Sequence, residues 1–160
     1  MPALRLTVGA EGQIHPLVHT ESGTVAQPTL ELTTDNTYQI AAAYLTADGS
    51  PWSWLRYSAG ARFDWYSTFG STINPRVALI FRPWTNGNLK VMGGSAFRAP
   101  SIYELSYRST TQQVSRNLRP ERIYSGELEY SHRLSTTWTA LVSGYVNYIQ
   151  SLIALRQVTV

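Results

Sequence analysis

"WLRYSAGARFDWY", from Trp54 to Tyr66, splits into two faces. Leu55, Tyr57, Ala59, Ala61, Phe63 and Trp65 fall on one; Arg56, Ser58, Gly60, Arg62, Asp64 and Tyr66 fall on the other. A repeat of two is the repeat of a β-strand, because successive side chains leave opposite sides of the pleated backbone. The run exceeds the roughly five or six residues usual for a globular strand. It predicts a long strand with one apolar face and one charged face.

The same alternation continues in both directions. Tyr38, Ile40, Ala42 and Tyr44 share a face, as do Val77, Leu79 and Phe81. Tyr124, Gly126, Leu128 and Tyr130 alternate with Ser125, Glu127, Glu129 and Ser131. Trp138, Ala140, Val142, Gly144, Val146 and Tyr148 alternate with Thr139, Ser143 and Asn147. Strands are expected over roughly 3–12, 37–47, 53–66, 75–83, 87–98, 121–134 and 137–150, with helix signals nearly absent.

The connections carry their own pattern. "DGSP" (Asp48–Pro51), "WTNGN" (Trp84–Asn88) and "STT" (Ser135–Thr137) read as tight turns, the Asn-Gly pair being a hairpin signal. His15 to Asn36, Ser67 to Asn74 and Ala99 to Pro120 read as longer polar loops. Short and long alternate, so all the long loops leave one end of the sheet. Outer-membrane barrels are laid out in this way, with short turns on one side and long loops on the other. The last hairpin fixes a register: a three-residue turn pairs Leu134 with Trp138, Leu128 with Gly144 and Tyr124 with Tyr148. At ~3.3 Å per residue and a tilt of ~40°, Trp138 and Tyr148 lie about 25 Å apart in height, matching the apolar band of such barrels.

Composition agrees with a wall between two media. Of the 160 residues 43% are hydrophobic and only 14% charged, below the ~25% charged of soluble domains. Aromatics favour rings with a polar handle, Tyr 10 and Trp 5 against Phe 4, which suit an interface. A net charge of +3 without a basic run gives no footprint for nucleic acid. There is no cysteine, hence no disulfide and no thiolate metal site. No apolar run reaches the ~20 residues of a spanning helix, and the start lacks the apolar core of a signal peptide.

Catalytic chemistry finds little support. His15 and His19 stand four apart but flank Pro16 in a polar stretch. Ser95 in "GGSAF" lacks the second glycine of a nucleophile elbow. His132 falls on the apolar face near one interface. No residue is assigned a catalytic, cofactor-binding or metal-ligating role, and an enzyme is not expected.

Three segments then occur in order: "FGSTINPRVALIFRP" (Phe69–Pro83), "LKVMGGSAFRAPSIYEL" (Leu89–Leu105) and "NLRPERIYSGELEY" (Asn117–Tyr130). With "YSAGARFDWYSTFG" and "LTVGAEG" upstream, the chain resembles the β-barrel of the TonB-dependent outer-membrane receptors over nearly its whole length. One departure is that Asn117 runs straight into Leu118, where the family usually carries Asn-Pro. The resemblance implies an all-β fold of antiparallel transmembrane strands, with residues 1–160 forming about seven of the ~22 strands of a plugged barrel. It implies an outer-membrane receptor that imports a scarce nutrient, such as a ferric siderophore, haem or cobalamin. The implied partners are membrane lipid, the small chelate itself, and TonB through a plug domain that this sequence does not contain. An internal fragment or a truncated gene product is the corresponding expectation for the chain.

Site residues follow from the two faces. Arg62, Asp64, Arg82, Lys90, Arg98, Glu127 and Glu129 are expected to face the lumen or the plug, or to balance one another along the wall. Gly93 and Gly94 are expected where the plug or a neighbouring backbone comes close, and Pro100 where a strand ends. Tyr57, Trp65, Tyr124, Trp138 and Tyr148 are the expected membrane-interface aromatics. Tyr103, Tyr107 and Arg108, in a long loop, are the candidates for ligand contact. Two alternatives stay open: a small complete barrel of structural or adhesive role, with an eighth strand near 151–160, and a soluble β-sandwich binding domain.

Overall fold

The computed structural model describes residues 4–24, 27–106 and 118–154. Its strands are β1 (Arg5–Thr24), β2 (Gln27–Trp52), β3 (Leu55–Tyr66), β4 (Gly70–Trp84), β5 (Gly87–Arg98), β6 (Glu121–Arg133) and β7 (Thr139–Gln150). One short helix, α1 (Ile102–Ser106), lies between β5 and β6. The strands form a single sheet in chain order, each antiparallel to the next. Among the described residues no second sheet packs on either face, so the sandwich alternative lacks its other half.

The expected register of the final hairpin is present. Tyr124 stands opposite Tyr148 and Leu128 opposite Gly144. Leu134 N donates to Trp138 O at 2.9 Å, and Ser135 Oγ accepts from the amides of Thr137 and Trp138 at 3.2 and 3.1 Å.

Several expectations need correction. The stretch from His15 to Asn36 is not a loop: β1 and β2 continue as a ladder beyond their apolar parts, to Thr24 and Gln27. The register shifts between His15 and Val18, where Pro16 has no N–H to give the ladder. The segment from Ser67 to Asn74 is a turn of residues 67–69, closed by Gly70 at φ 96°, a backbone angle that excludes most side chains. The expected turn at Asp48–Pro51 moves to Ser53 and Trp54, with β2 running through Trp52. Residues 151–154 are not strand, and Ser151 ends β7 with φ 57°; the rest of the proposed eighth strand lies outside the described residues.

Facing follows from cross-strand pairs, which share a side. Leu55 opposes Phe81, Tyr57 opposes Leu79 and Ala59 opposes Val77, all on the apolar face. Ala42 opposes Asp64 and Tyr44 opposes Arg62. Tyr38, Ile40, Ala42 and Tyr44 thus share a face as expected, but it is the charged one; Ala41, Ala43, Leu45 and Ala47 supply β2's apolar side. On β7 the charged side also carries Leu141, Tyr145 and Ile149, opposite Ser131, Glu127 and Ile123.

Burial is inverted relative to a water-soluble domain. Among the described residues the buried side chains within the strands other than glycine are Ala42, Thr46, Asp64 and Thr72, all on the charged face. The apolar face stays open, with Leu6, Val8, Leu45, Phe63, Ile73, Leu128, Val142 and Val146 exposed. Exposed apolar side chains on so many strands of one sheet face mark an interaction surface.

Candidate functional site

Two assemblies stand out, a polar network across the charged face and a knot where β5 leaves the sheet. The network starts at Asp64, 2% exposed at the middle of the face. An unpartnered buried carboxylate would be costly, and here both oxygens are engaged. Arg62 Nε donates to Asp64 Oδ1 at 2.7 Å, and Asn74 Nδ2 donates to Oδ2 at 3.4 Å. Arg62 Nη2 reaches across β2 to Glu11 Oε2 at 3.0 Å, and Asn74 also donates to Thr72 Oγ1 at 3.2 Å. The path is short because Arg62, Tyr44 and Gly9 stand in one cross-strand row, with the Tyr44 ring lying over the bare Gly9. The Arg62 guanidinium thereby joins β1 to β3, and Asp64 extends the network to Asn74 of β4.

Further along the face Lys90 and Glu129 are directly opposed on β5 and β6, 2.6 Å apart. Glu127 lies two residues away and lines a hollow of about 270 Å³ with Ser58, Arg76, Ala78, Met92 and Gly94. A side chain on Gly94 would meet the Pro75 carbonyl at 3.1 Å, so the close neighbour of this glycine is the adjacent strand. Of the seven expected charges, Arg62 with Asp64 and Lys90 with Glu129 are brought together. Neither Arg82 nor Glu127 has an ion-pair partner among the described residues.

Arg98 does something else. It is the last residue of β5, three positions past the level of Tyr124, and its guanidinium holds two carboxylates edge to edge. Nε and Nη2 donate to Glu121 at 2.7 and 3.0 Å; Nη1 and Nη2 donate to Glu104 at 3.1 and 2.9 Å. Glu104 in turn closes a capping box on α1, accepting from Ser101 N at 2.7 Å and Ser101 Oγ at 3.0 Å. Ser101 Oγ accepts from Glu104 N at 3.2 Å. Glu121 Oε1 also accepts from the amide of Ile153, beyond β7, at 2.7 Å. The Arg98 fork holds Glu121 down at about 2, with the Ile153 amide adding to it, and it lowers Glu104 as well. The knot therefore stays ionised through the ordinary pH range.

Sequence reasoning singled out Arg98 but not Glu104, Ser101 or Glu121 as its company. The signal was present: Ser101 and Glu104 have capping-box spacing, and Glu121 sits in "RPE". Pro100 follows the end of β5, as expected. Tyr103 is on α1 and 48% exposed, while Tyr107 and Arg108 lie outside the described residues.

On the apolar face Trp65, Tyr124, Trp138 and Tyr148 are exposed at the two ends of their strands. Tyr57 instead lies over Gly49, the residue directly opposite it. The short-turn end carries rings that the strand pattern missed, because they sit in or beside turns. Trp52 stacks on Trp54 at 5.2 Å and Trp54 on Phe81 at 6.2 Å. Trp84 Nε1 donates to His132 Nδ1 at 3.4 Å, and the Tyr130 hydroxyl meets the same nitrogen at 3.0 Å. His132 is thus part of an aromatic edge. Among the described residues no group of three or more His, Cys, Asp or Glu converges on a metal position.

Comparison with known proteins places this geometry. Residues 7–160 match the family described as TonB dependent receptor-like, beta-barrel. The vitamin B12 transporter BtuB of Vibrio cholerae serotype O1 is 30% identical over 126 residues, in three strains. That match covers 78% of this chain and 19% of the transporter, so the chain spans about a fifth of the relative's length. A crystal structure of a variant ferric enterobactin receptor, PfeA of Pseudomonas aeruginosa, superposes with a TM-score of 0.72. It covers 91% of this chain and 24% of the receptor at 15% identity, a likeness of fold. From the match across residues 7–160, the chain belongs to the TonB-dependent receptor family and corresponds to its β-barrel.

Proposed function

We propose that this chain is part of the wall of an outer-membrane receptor that takes up a scarce nutrient with energy supplied through TonB. One observation carries the reading: a seven-stranded sheet with an exposed apolar face backed by an ion-paired polar face. In this reading the apolar face meets lipid, and Trp65, Tyr124, Trp138 and Tyr148 sit at its two interfaces, with Tyr57 nearby on the same face. The charged face lines the lumen, with Arg62, Asp64, Lys90 and Glu129 serving as wall pairs. Glu127 and Arg82 are the charges left for a plug or a ligand path.

The ligand proposed is a bulky metal chelate, cobalamin or a ferric siderophore, met by the long-loop end that includes Tyr103, Tyr107 and Arg108. The role is transport rather than catalysis, and nucleic acid is no partner. The test is fractionation of the full-length product, followed by uptake of labelled cobalamin and labelled ferric siderophores in cells with and without its gene. Outer-membrane recovery with TonB-dependent loss of one uptake is expected. Recovery in the cytoplasmic fraction would overturn the reading.

A further inference from the structure

Arg98 and Glu121 join more than the two ends of one loop. Glu121 begins β6, and through Oε1 it holds the amide of Ile153, just past the end of β7. Arg98 holds Glu121 with one edge of its guanidinium and Glu104 of α1 with the other. Glu104 is fixed in rotation by both the amide and the hydroxyl of Ser101. A planar, delocalised fork imposes direction on both carboxylates, which a lysine ammonium cannot do.

We propose that Arg98 is a positioning residue that makes helix α1 and the segment after β7 one mechanical unit, through Glu121. The two segments follow different strands, α1 after β5 and residues 151–154 after β7, and the Arg98–Glu121 pair bonds to both. Movement of α1, which carries Tyr103, is then transmitted to the backbone at Ile153, and movement at Ile153 is transmitted to α1. The inference rests on the knot's geometry and holds whether or not the proposed ligand class is right.

The test uses amide hydrogen exchange on the full-length receptor in lipid nanodiscs, with Arg98→Lys, Glu104→Gln and Glu121→Gln. Glu104→Gln decides, because Glu104 does not touch Ile153. The proposal expects Glu104→Gln to speed exchange at Ile153 as well as at Leu105, whose amide bonds to Ser101 O in α1. Opening of a charge-assisted bond sets the scale at about tenfold. Arg98→Lys should accelerate both sites together, while strand amides such as Val142 stay slow and report an intact barrel. If Glu104→Gln accelerates Leu105 alone, the two segments are independent and the proposal fails. If Arg98→Lys changes neither site, Arg98 positions nothing and the proposal also fails.

Discussion

A β-carbon on Gly60 would stand 2.6 Å from the Leu45 carbonyl oxygen and 2.9 Å from Thr46 Oγ1. The first of these atoms belongs to the neighbouring backbone and cannot swing away. Gly60→Ala is therefore expected to lower stability by about 1–3 kcal/mol, the usual cost of forcing extra volume into a packed site. Gly144 has nothing within 4 Å of the same position, so Gly144→Ala should stay within about 0.5 kcal/mol of the parent. Urea unfolding of the full-length receptor from lipid vesicles measures both, and equal effects would contradict the packing described. Residues of this kind were only half legible. Alternation put Arg98 on the charged face, and Ser101, Glu104 and Glu121 lie within the quoted motifs without being read as its partners. Its actual partners depend on where the chain returns after the loop, which no local pattern encodes.

The β1–β2 hairpin was the least legible element, and the reason is physical. Where a ladder has water on both faces, neither face must be apolar, so the period-two signal vanishes although the pairing continues. Its upper part is held by side chains instead. His19 Nε2 faces Glu21 of its own strand at 2.9 Å, and Nδ1 faces Asp35 of β2 at 2.5 Å. Two carboxylates, one at each ring nitrogen, favour the doubly protonated ring; Glu21 and then Asp35 raise the His19 pKa above its usual 6.5. Because the folded value is raised, this link is fully present below the unfolded value and is lost as pH rises through the folded one. An NMR titration of His19 in the receptor should give an elevated midpoint, and Asp35→Asn should bring it down. A midpoint below 6.5 would contradict the bridge. The pairing of β5 with β6 makes a separate claim, that Lys90 and Glu129 interact directly across the ladder. A double-mutant cycle with Lys90→Ala and Glu129→Ala should yield a coupling of about 0.5–1 kcal/mol, and zero coupling would make the pair incidental.

At the scale of the molecule, the chain makes a sheet that hides polar groups and shows apolar ones. This inversion was readable from Leu55–Tyr66 and from the final hairpin, where apolar and charged positions separate cleanly. It was misread on β2 because both sides are apolar there; only pairing with β3 assigns Ala42 and Tyr44 to the charged face. The central claim is that the apolar face meets lipid while the other is wet. Val142 and Ser143 test it, being neighbours in sequence on opposite faces. Val142 is 72% exposed opposite Tyr130, midway between Trp138 and Tyr148, whereas Ser143 stands opposite Glu129. The most direct measurement is urea unfolding of the full-length receptor from lipid vesicles, comparing Val142→Arg with Ser143→Arg. Val142→Arg should cost about 2–4 kcal/mol, the depth-dependent cost of an arginine in lipid, and Ser143→Arg little. Equal losses, or a larger loss for Ser143→Arg, would contradict the account.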